Sequence, residues 1–294
     1  MKKILFASTA LIATASVAAA DVKLGGYGRF GIIYVEDAAR ETSIESRFRL
    51  NIDGTTTADN GVTFGARVRM QADDITATGD AGAAGLNGAR FYATSGGLTV
   101  AAGNIYGAID SMPNLYHGSV GLSGLGYADV ITNFGADDYT STGAGVNGVE
   151  VIYEADMFTI HASYSDPSAR TERLAVSGSA SFMGYTIALG YQDSDTDNDV
   201  EFIGIVGGEV GPVSLAAGYA QDQGGEASYV VSAAAEVAMG IEVKAYYTRD
   251  ENQADEDAYG IGASYGLGGG ASIRGGVADR HGNMAADLGV FFSF

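Results

Sequence analysis

The sequence predicts an all-β protein whose strands pair antiparallel and close on themselves, and three observations carry that expectation. Apolar and polar residues alternate one by one through segment after segment from Asp21 to Phe294, which is the period of a strand with two unlike faces. The connectors between segments alternate between tight turns and longer polar stretches. The composition suits strands as well, with 44 Gly, 17 Tyr and 12 Phe against three Pro in 294 residues. The same composition excludes several functions. With 36 Asp+Glu against 16 Lys+Arg and a formal net charge of −20, the chain lacks the basic face that nucleic-acid phosphates require. There is no cysteine, hence no disulfide framework and no thiolate metal site. After residue 20 no apolar run reaches the ~20 residues a helix needs to cross a bilayer. A charged fraction of 18% with abundant aromatics argues against disorder.

Residues 1–20 carry a cleavable secretory signal. Lys2 and Lys3 give a positive start, Ile4 to Val17 a short apolar stretch, and Ala18-Ala19-Ala20 the small residues before a cleavage site. Residues 21–294 are then the exported protein, a single domain. From Ser43 to Asp53 one parity is Ile44, Ser46, Phe48, Leu50 and Ile52, and the other is polar. From Gly61 to Asp73 one parity is Val62, Phe64, Ala66, Val68, Met70 and Ala72, and the other holds Arg67, Arg69, Gln71 and Asp73. The link Gly54 to Asn60 carries turn residues and makes the pair an antiparallel hairpin. Apolar parities continue in Phe158-Ile160-Ala162-Tyr164, Ile187-Leu189-Tyr191, Val213-Leu215-Ala217-Tyr219, Ile241-Val243-Ala245-Tyr247, Tyr259-Ile261-Ala263-Tyr265-Leu267 and Ala286-Leu288-Val290-Phe292-Phe294. About sixteen such segments occur. Tight connectors such as Gly96-Gly97, Met183-Gly184, Gly211-Pro212 and Met239-Gly240 alternate with longer ones such as Asp193 to Asp199, Gln221 to Gly225 and Asp250 to Asp257.

Short turns at one end and long loops at the other describe a transmembrane antiparallel β-barrel of the outer-membrane type. The parity opposite the apolar one is small and charged, so the interior is expected to be wet and the apolar face to meet lipid. Closure removes the unpaired edges that lipid cannot satisfy. Tyr34, Tyr164, Tyr191, Tyr219 and Tyr247 close apolar parities just before long loops, and Phe202, Tyr229 and Tyr259 open them just after. That places an interfacial aromatic girdle at the long-loop end. Between Asn104 and Asn147 no alternation is sustained; this is the longest connector, and its Ile105, Ile109, Leu115, Leu122, Leu125, Val130 and Ile131 favour packing over a floppy surface loop. Lys23, Arg29, Arg47, Arg49, Arg67 and Arg69 fall on the inward parity of the first three strands, and Arg90 extends the set onto the fourth. Clustered like charges need counter-acids, water or a passing anion.

Several stretches carry a resemblance. They are Gly25-Gly26-Tyr27-Gly28-Arg29-Phe30-Gly31, Gly54-Thr55-Thr56 with Gly61-Val62-Thr63-Phe64-Gly65-Ala66, Tyr259-Gly260-Ile261-Gly262-Ala263-Ser264-Tyr265, and the ending Ala286-Asp287-Leu288-Gly289-Val290-Phe291-Phe292-Ser293-Phe294. In that order they resemble alphaproteobacterial general porins of the purple-bacterial type, over the whole mature chain and most at its two ends. The resemblance implies a sixteen-stranded barrel, a homotrimer in the outer membrane of a Gram-negative bacterium, and a third loop (104–147) folded into the lumen. It implies passive diffusion of small hydrophilic solutes and ions, without catalysis, among outer-membrane lipid and lipopolysaccharide. In that family a basic wall opposes an acidic inner loop. Carried over, Arg29, Arg47, Arg49, Arg67, Arg69 and Arg90 form the wall, and Asp110, Asp129, Asp137 and Asp138 the acidic loop, with the arginines facing some of those aspartates; the plainer alternative is pairing with Glu45, Asp53 or Glu150 along the wall. A transverse field would orient dipolar solutes and disfavour apolar ones. The terminal Phe294 would serve as the barrel assembly signal.

Other signals carry less. Gly26-Tyr27-Gly28-Arg29-Phe30-Gly31 fits a dinucleotide fingerprint by spacing, but it lies within a strand with no helix after it. Asp193-Ser194-Asp195-Thr196-Asp197-Asn198-Asp199 resembles the start of a calcium loop, yet its twelfth position is Gly204 instead of Glu. No cofactor is expected, beyond loose Ca²⁺ or Mg²⁺ at acidic outer loops. The alternatives to a general channel are a substrate-specific outer-membrane channel or a barrel-type hydrolase. The latter would bring His161 or His281 within hydrogen-bond reach of a nucleophile.

Overall fold

The structure, a computed structural model, describes residues 20–74, 78–125, 135–165 and 171–294. The leader therefore lies outside the described residues except for Ala20, and strand β1 begins at Asp21. The described strands are β1 Asp21–Val35, β2 Thr42–Thr57, β3 Thr63–Asp73, β4 Gly85–Leu86, β5 Arg90–Ser95, β6 Leu98–Asn104, β7 Asn147–Glu154 and β8 Phe158–Ser165. They continue with β9 Arg173–Phe182, β10 Tyr185–Ser194, β11 Val200–Val210, β12 Val213–Asp222, β13 Ala227–Ala238, β14 Ile241–Asp250, β15 Asp257–Gly268, β16 Ala271–Arg280 and β17 Asn283–Ser293.

Each strand pairs antiparallel with its sequence neighbour, and β1 pairs with both β2 and β17, so the sheet closes. Both β4 and β5 pair with β3, Leu86 opposite Met70 and Arg90 opposite Arg67, and so form two pieces of one stave. The barrel thus has sixteen staves. The hairpin link between β2 and β3 is shorter than the sequence suggests. Gly54 to Thr57 remain in β2, with Gly54 opposite Ala66 and Thr57 opposite Thr63, because β-branched threonines extend a ladder readily.

The apolar parity points away from the barrel. Phe30, Ile32, Ile44, Phe64, Ile160, Ile187, Leu189, Val206, Ile261 and Leu288 are all exposed on the outer face. Exposed Tyr34, Tyr164, Tyr191, Tyr229, Tyr247 and Tyr259 crowd the long-loop end, where Tyr219 packs edge-on against Tyr229 at 5.3 Å. The two-residue turns Gly96-Gly97, Met183-Gly184, Gly211-Pro212 and Met239-Gly240 all lie at the other rim. What a soluble protein would bury, this chain presents to hydrocarbon, and no edge is left for lipid to leave unsatisfied.

Candidate functional site

The segment between β6 and β7 enters the barrel and lines it as a belt. Inward-facing side chains of β9 to β13 receive it: Ala175, Ala188, Ile203, Ile205, Ala220 and Val230 pack against Ala108, Ile109, Met112 and Leu115 of the segment. Farther round, Val120 and Leu125 pack with Tyr246, Ala278 and Ala285. Part of the inner wall is therefore apolar, contrary to a uniformly wet interior. The sequence signal was the run Phe202-Ile203-Gly204-Ile205-Val206, apolar on both parities, which marks a strand covered on both faces.

Close approach needs glycine at two places. A side chain at Gly190 would collide with Ile109 Cδ1 and Met112 Sδ, at 2.7 and 2.8 Å. Gly262 and Gly276 form a shallow pit in which the backbone of Gly121 lies, about 3 Å from where their Cβ atoms would stand. Polar pins complete the seat. Asp287 of β17 accepts from Leu122 N at 2.8 Å, Ser123 N at 2.7 Å and Ser123 Oγ at 2.6 Å. His117 meets Ser232 through Nδ1 at 2.7 Å and Ser214 through Nε2 at 3.1 Å. Burial and nearby Lys244 push this imidazole below its usual range, so it is neutral at pH 7. At the root, Glu150 accepts from Arg90 Nε at 2.6 Å and Tyr106 N at 3.0 Å, and lies 2.9 Å from His161 Nε2. On the return limb Asn87 and Asn104 donate to Thr140 O.

The staves that the belt leaves open carry the arginines. Arg29 pairs with Glu45 at 2.5 Å and donates to Ser123 O at 3.2 Å, so it meets the belt's far end. Arg47 pairs with Asp73. Arg67 holds Asp53 through Nε at 2.6 Å and Nη2 at 3.0 Å, and donates to Tyr106 Oη at 2.7 Å. Arg49 and Arg69 differ from these. Both donate to one acceptor, Ser141 Oγ, at 3.1 and 2.7 Å. Their other partners are neutral: Gln71 at 2.5 Å and the Tyr27 ring for Arg49, Asn51 at 2.9 Å and the Tyr139 ring for Arg69. Neither has a carboxylate in ion-pair contact among the described residues, so two positive charges stand side by side facing water. Arg90 is 4% exposed and lies 4.0 Å from the centre of the Tyr106 ring. It ties the belt's root to the wall instead of facing the lumen.

The contacts of Asp110 and Asp137 lie elsewhere than on these arginines. Asp137 is buried and pairs with Arg173 of β9 at 3.2 Å, and Arg173 also holds Asp199. Asp110 accepts from the Tyr116 hydroxyl, and burial together with neighbouring Asp138 pushes its carboxyl up to about 7. Asp138 is exposed. Asp129 lies outside the described residues. The wall carboxylates Glu45, Asp53, Asp73 and Glu150 neutralise Arg29, Arg67, Arg47 and Arg90 instead: register sets the first three on the adjacent stave, with Asp53 opposite Arg67 and Asp73 opposite Arg47, and Glu150 reaches Arg90 across the small Gly103 of β6.

Sequence reasoning passed over Ser141, Tyr106 and Asp287. Only Asp287 left a signal, as a lone acid on the inward parity of a strand otherwise small or aromatic there. Of the histidines, His161 meets Glu150, His281 meets Asp255 O at 2.8 Å, and His117 meets two serines. Among the described residues no three acidic or imidazole side chains converge as a metal site.

Comparison with known proteins gives one answer. The family model described as Gram-negative porin matches residues 7–284. A porin of Fuscovulum blasticum is 36% identical over 294 residues, covering 93% of this chain and all of the relative. A porin of Rhodobacter capsulatus is 30% identical over 317 residues with the same coverage. Among solved structures, a multiply substituted mutant of the Rh. blastica porin superposes with a TM-score of 0.82 at 30% identity, over 93% of this chain and all of that one. A structure titled for the asymmetric conductivity of engineered proteins matches equally well, with a TM-score of 0.82.

Proposed function

The chain belongs to the Gram-negative porin family, and from that premise we propose that its selectivity is set where the inner belt faces the uncovered arginine staves. It is a general diffusion porin of the outer membrane, and small hydrophilic solutes and ions pass through its lumen. The observation that carries the reading is the pair Arg49 and Arg69, joined through Ser141 and, among the described residues, without a carboxylate in ion-pair contact. On this reading Arg29, Arg47 and Arg67 shape the same wall as neutralised pairs, Arg90 is an anchor, and the mobile proton of the belt belongs to Asp110. Asp137 is committed to Arg173. The leader 1–20 is removed on export, in keeping with β1 beginning at Asp21.

The channel works without catalysis or cofactor. His161 is buried against Glu150 at the belt's root and His281 meets the Asp255 carbonyl, so the two imidazoles a hydrolase would use have structural contacts. A divalent cation at the outer loops would meet scattered carboxylates, since Asp199 is spent on Arg173. Three copies assemble through the wall of short strands β5 to β8, where the staves are lowest. Phe294, whose backbone pairs with Gly26 at 2.9 and 3.0 Å, ends the assembly signal. Purified protein in planar bilayers is expected to give ohmic channels that close in three equal steps. No conductance would end the reading of the lumen, and single-step closure would end that of the trimer.

Acidification should change the ion preference. Asp110 titrates near 7; its raised value means that the negative form is lost as pH falls through that range. Between pH 8 and pH 6 the reversal potential in a KCl gradient is expected to move toward anions. Asp110→Asn should abolish that step and hold the channel near its low-pH behaviour at both values.

A further inference from the structure

A second group of charges lies on the wall under the belt's apex, and the constriction does not use it. Glu242 and Lys244 stand on β14, Ser264 on β15 and Arg274 on β16. Their parity is opposite to that of exposed Tyr247, Tyr265 and Ile273, so all four point into the lumen. Glu242 is opposite Ser264, and Ser264 is opposite Arg274, forming one row across three staves. Lys244 is opposite Gly262, which contributes no side chain beside it. With Ser119 and Gly121 of the belt above them, these residues enclose a cavity of about 270 Å³.

The charges in this cavity act on one another without closing an ion pair. Arg274 donates Nε to Ser272 Oγ at 2.9 Å and lies 3.7 Å from the centre of the Phe291 ring, contacts that hold its guanidinium in the lining of the cavity. Among the described residues neither Arg274, Lys244 nor Glu242 is in ion-pair contact. One anion and one cation at the ends of a row with a hydroxyl between them, and a second cation two residues along β14, complement a molecule that carries a carboxylate and an ammonium. The guanidinium and the lysine suit the first, and Glu242 the second. We propose that this cavity is a transient binding site for small zwitterions of amino-acid size on their passage beyond the belt. The inference rests on the diffusion-channel reading and adds a preference among the solutes that the channel admits.

A zwitterion has no net charge, so the net field of the lumen does not favour it. Loss of either side of a local site weakens its binding, whereas a change in the overall field alone leaves it unmoved. The test is swelling of proteoliposomes in isotonic L-alanine against isotonic erythritol. The native alanine-to-erythritol rate ratio is expected to fall as alanine rises, as a saturable site requires. Lys244→Gln with Arg274→Gln, and separately Glu242→Gln, should each lower that ratio about threefold, the size of a partly exposed charge contact. Heat-dependent migration on gels reports whether each variant folds. Lys244→Gln alone, which leaves Arg274 on Phe291, should lower the ratio in the same direction. An unchanged ratio in the folded variants, or opposite changes in the two sets, overturns the site. Erythritol swelling no faster than in protein-free liposomes would instead remove the channel on which it rests.

Discussion

Replacing Arg49 and Arg69 together by alanine should shift the cation-to-anion permeability ratio toward cations by about tenfold in ~0.1 M salt, read as a reversal potential across a KCl gradient. The size follows from Coulomb's law. A unit charge about 6 Å from a passing ion, in a medium between water and protein, is worth roughly 1–2 kcal/mol, and ~1.4 kcal/mol is a factor of ten. Both guanidiniums act through neutral partners, Ser141, Gln71 and Asn51, so their charge reaches the solution uncancelled. The effect should shrink in ~1 M salt, where the screening length falls to about 3 Å. Removing Arg67 and Asp53 together deletes a bound pair without changing net charge, and should alter the ratio by less than about twofold. Equal shifts from the two double variants would mean that pairing does not decide which arginines the ions feel.

Asp287→Ala is expected to release the far end of the belt. The carboxylate accepts three hydrogen bonds from Leu122 and Ser123, and bonds to a charged acceptor are each worth about 1.5–3 kcal/mol. Water entering the gap recovers part of this, leaving a local loss of about 3 kcal/mol and about a hundredfold rise in the released population. The measurements are open-channel current noise and protease cleavage within residues 105–146, and both should increase. Asp287→Asn, which retains an acceptor, should fall between. A quiet channel with native protease resistance in the alanine variant would show that the glycine pit and the apolar seat suffice.

Much of the barrel was legible because a two-sided strand between lipid and water writes its faces into the sequence residue by residue. The sorting of turns from loops followed from the same parity counting, since each reversal of direction leaves its own punctuation. The inner belt was legible as a long apolar connector, and its seat was not. Ile203 and Ile205 acquire meaning only when Ile109 and Met112 are set upon them, and nothing local in either segment specifies the other. The arginine wall was legible as a set of side chains on one parity. Its division into neutralised pairs and an uncancelled pair depends on cross-stave register, Arg67 facing Asp53 while Arg69 faces Asn51, which parity does not reveal. The loop aspartates were read by charge alone, and burial against Arg173 took Asp137 out of the lumen.

The seam between β1 and β17 has a consequence for how the channel comes into being. Tyr27 to Val35 pair with Ala285 to Ser293, and Gly26 with Phe294 itself, so the joint is made by residues near opposite ends of the exported chain. Contacts so distant in sequence carry the largest loop-closure entropy and form late. Until they do, both outer strands keep a free edge, and lipid rejects an open edge. A truncated or stalled chain is therefore denied a stable home in the bilayer, and the cell is spared a half-built hole through which its periplasm would drain.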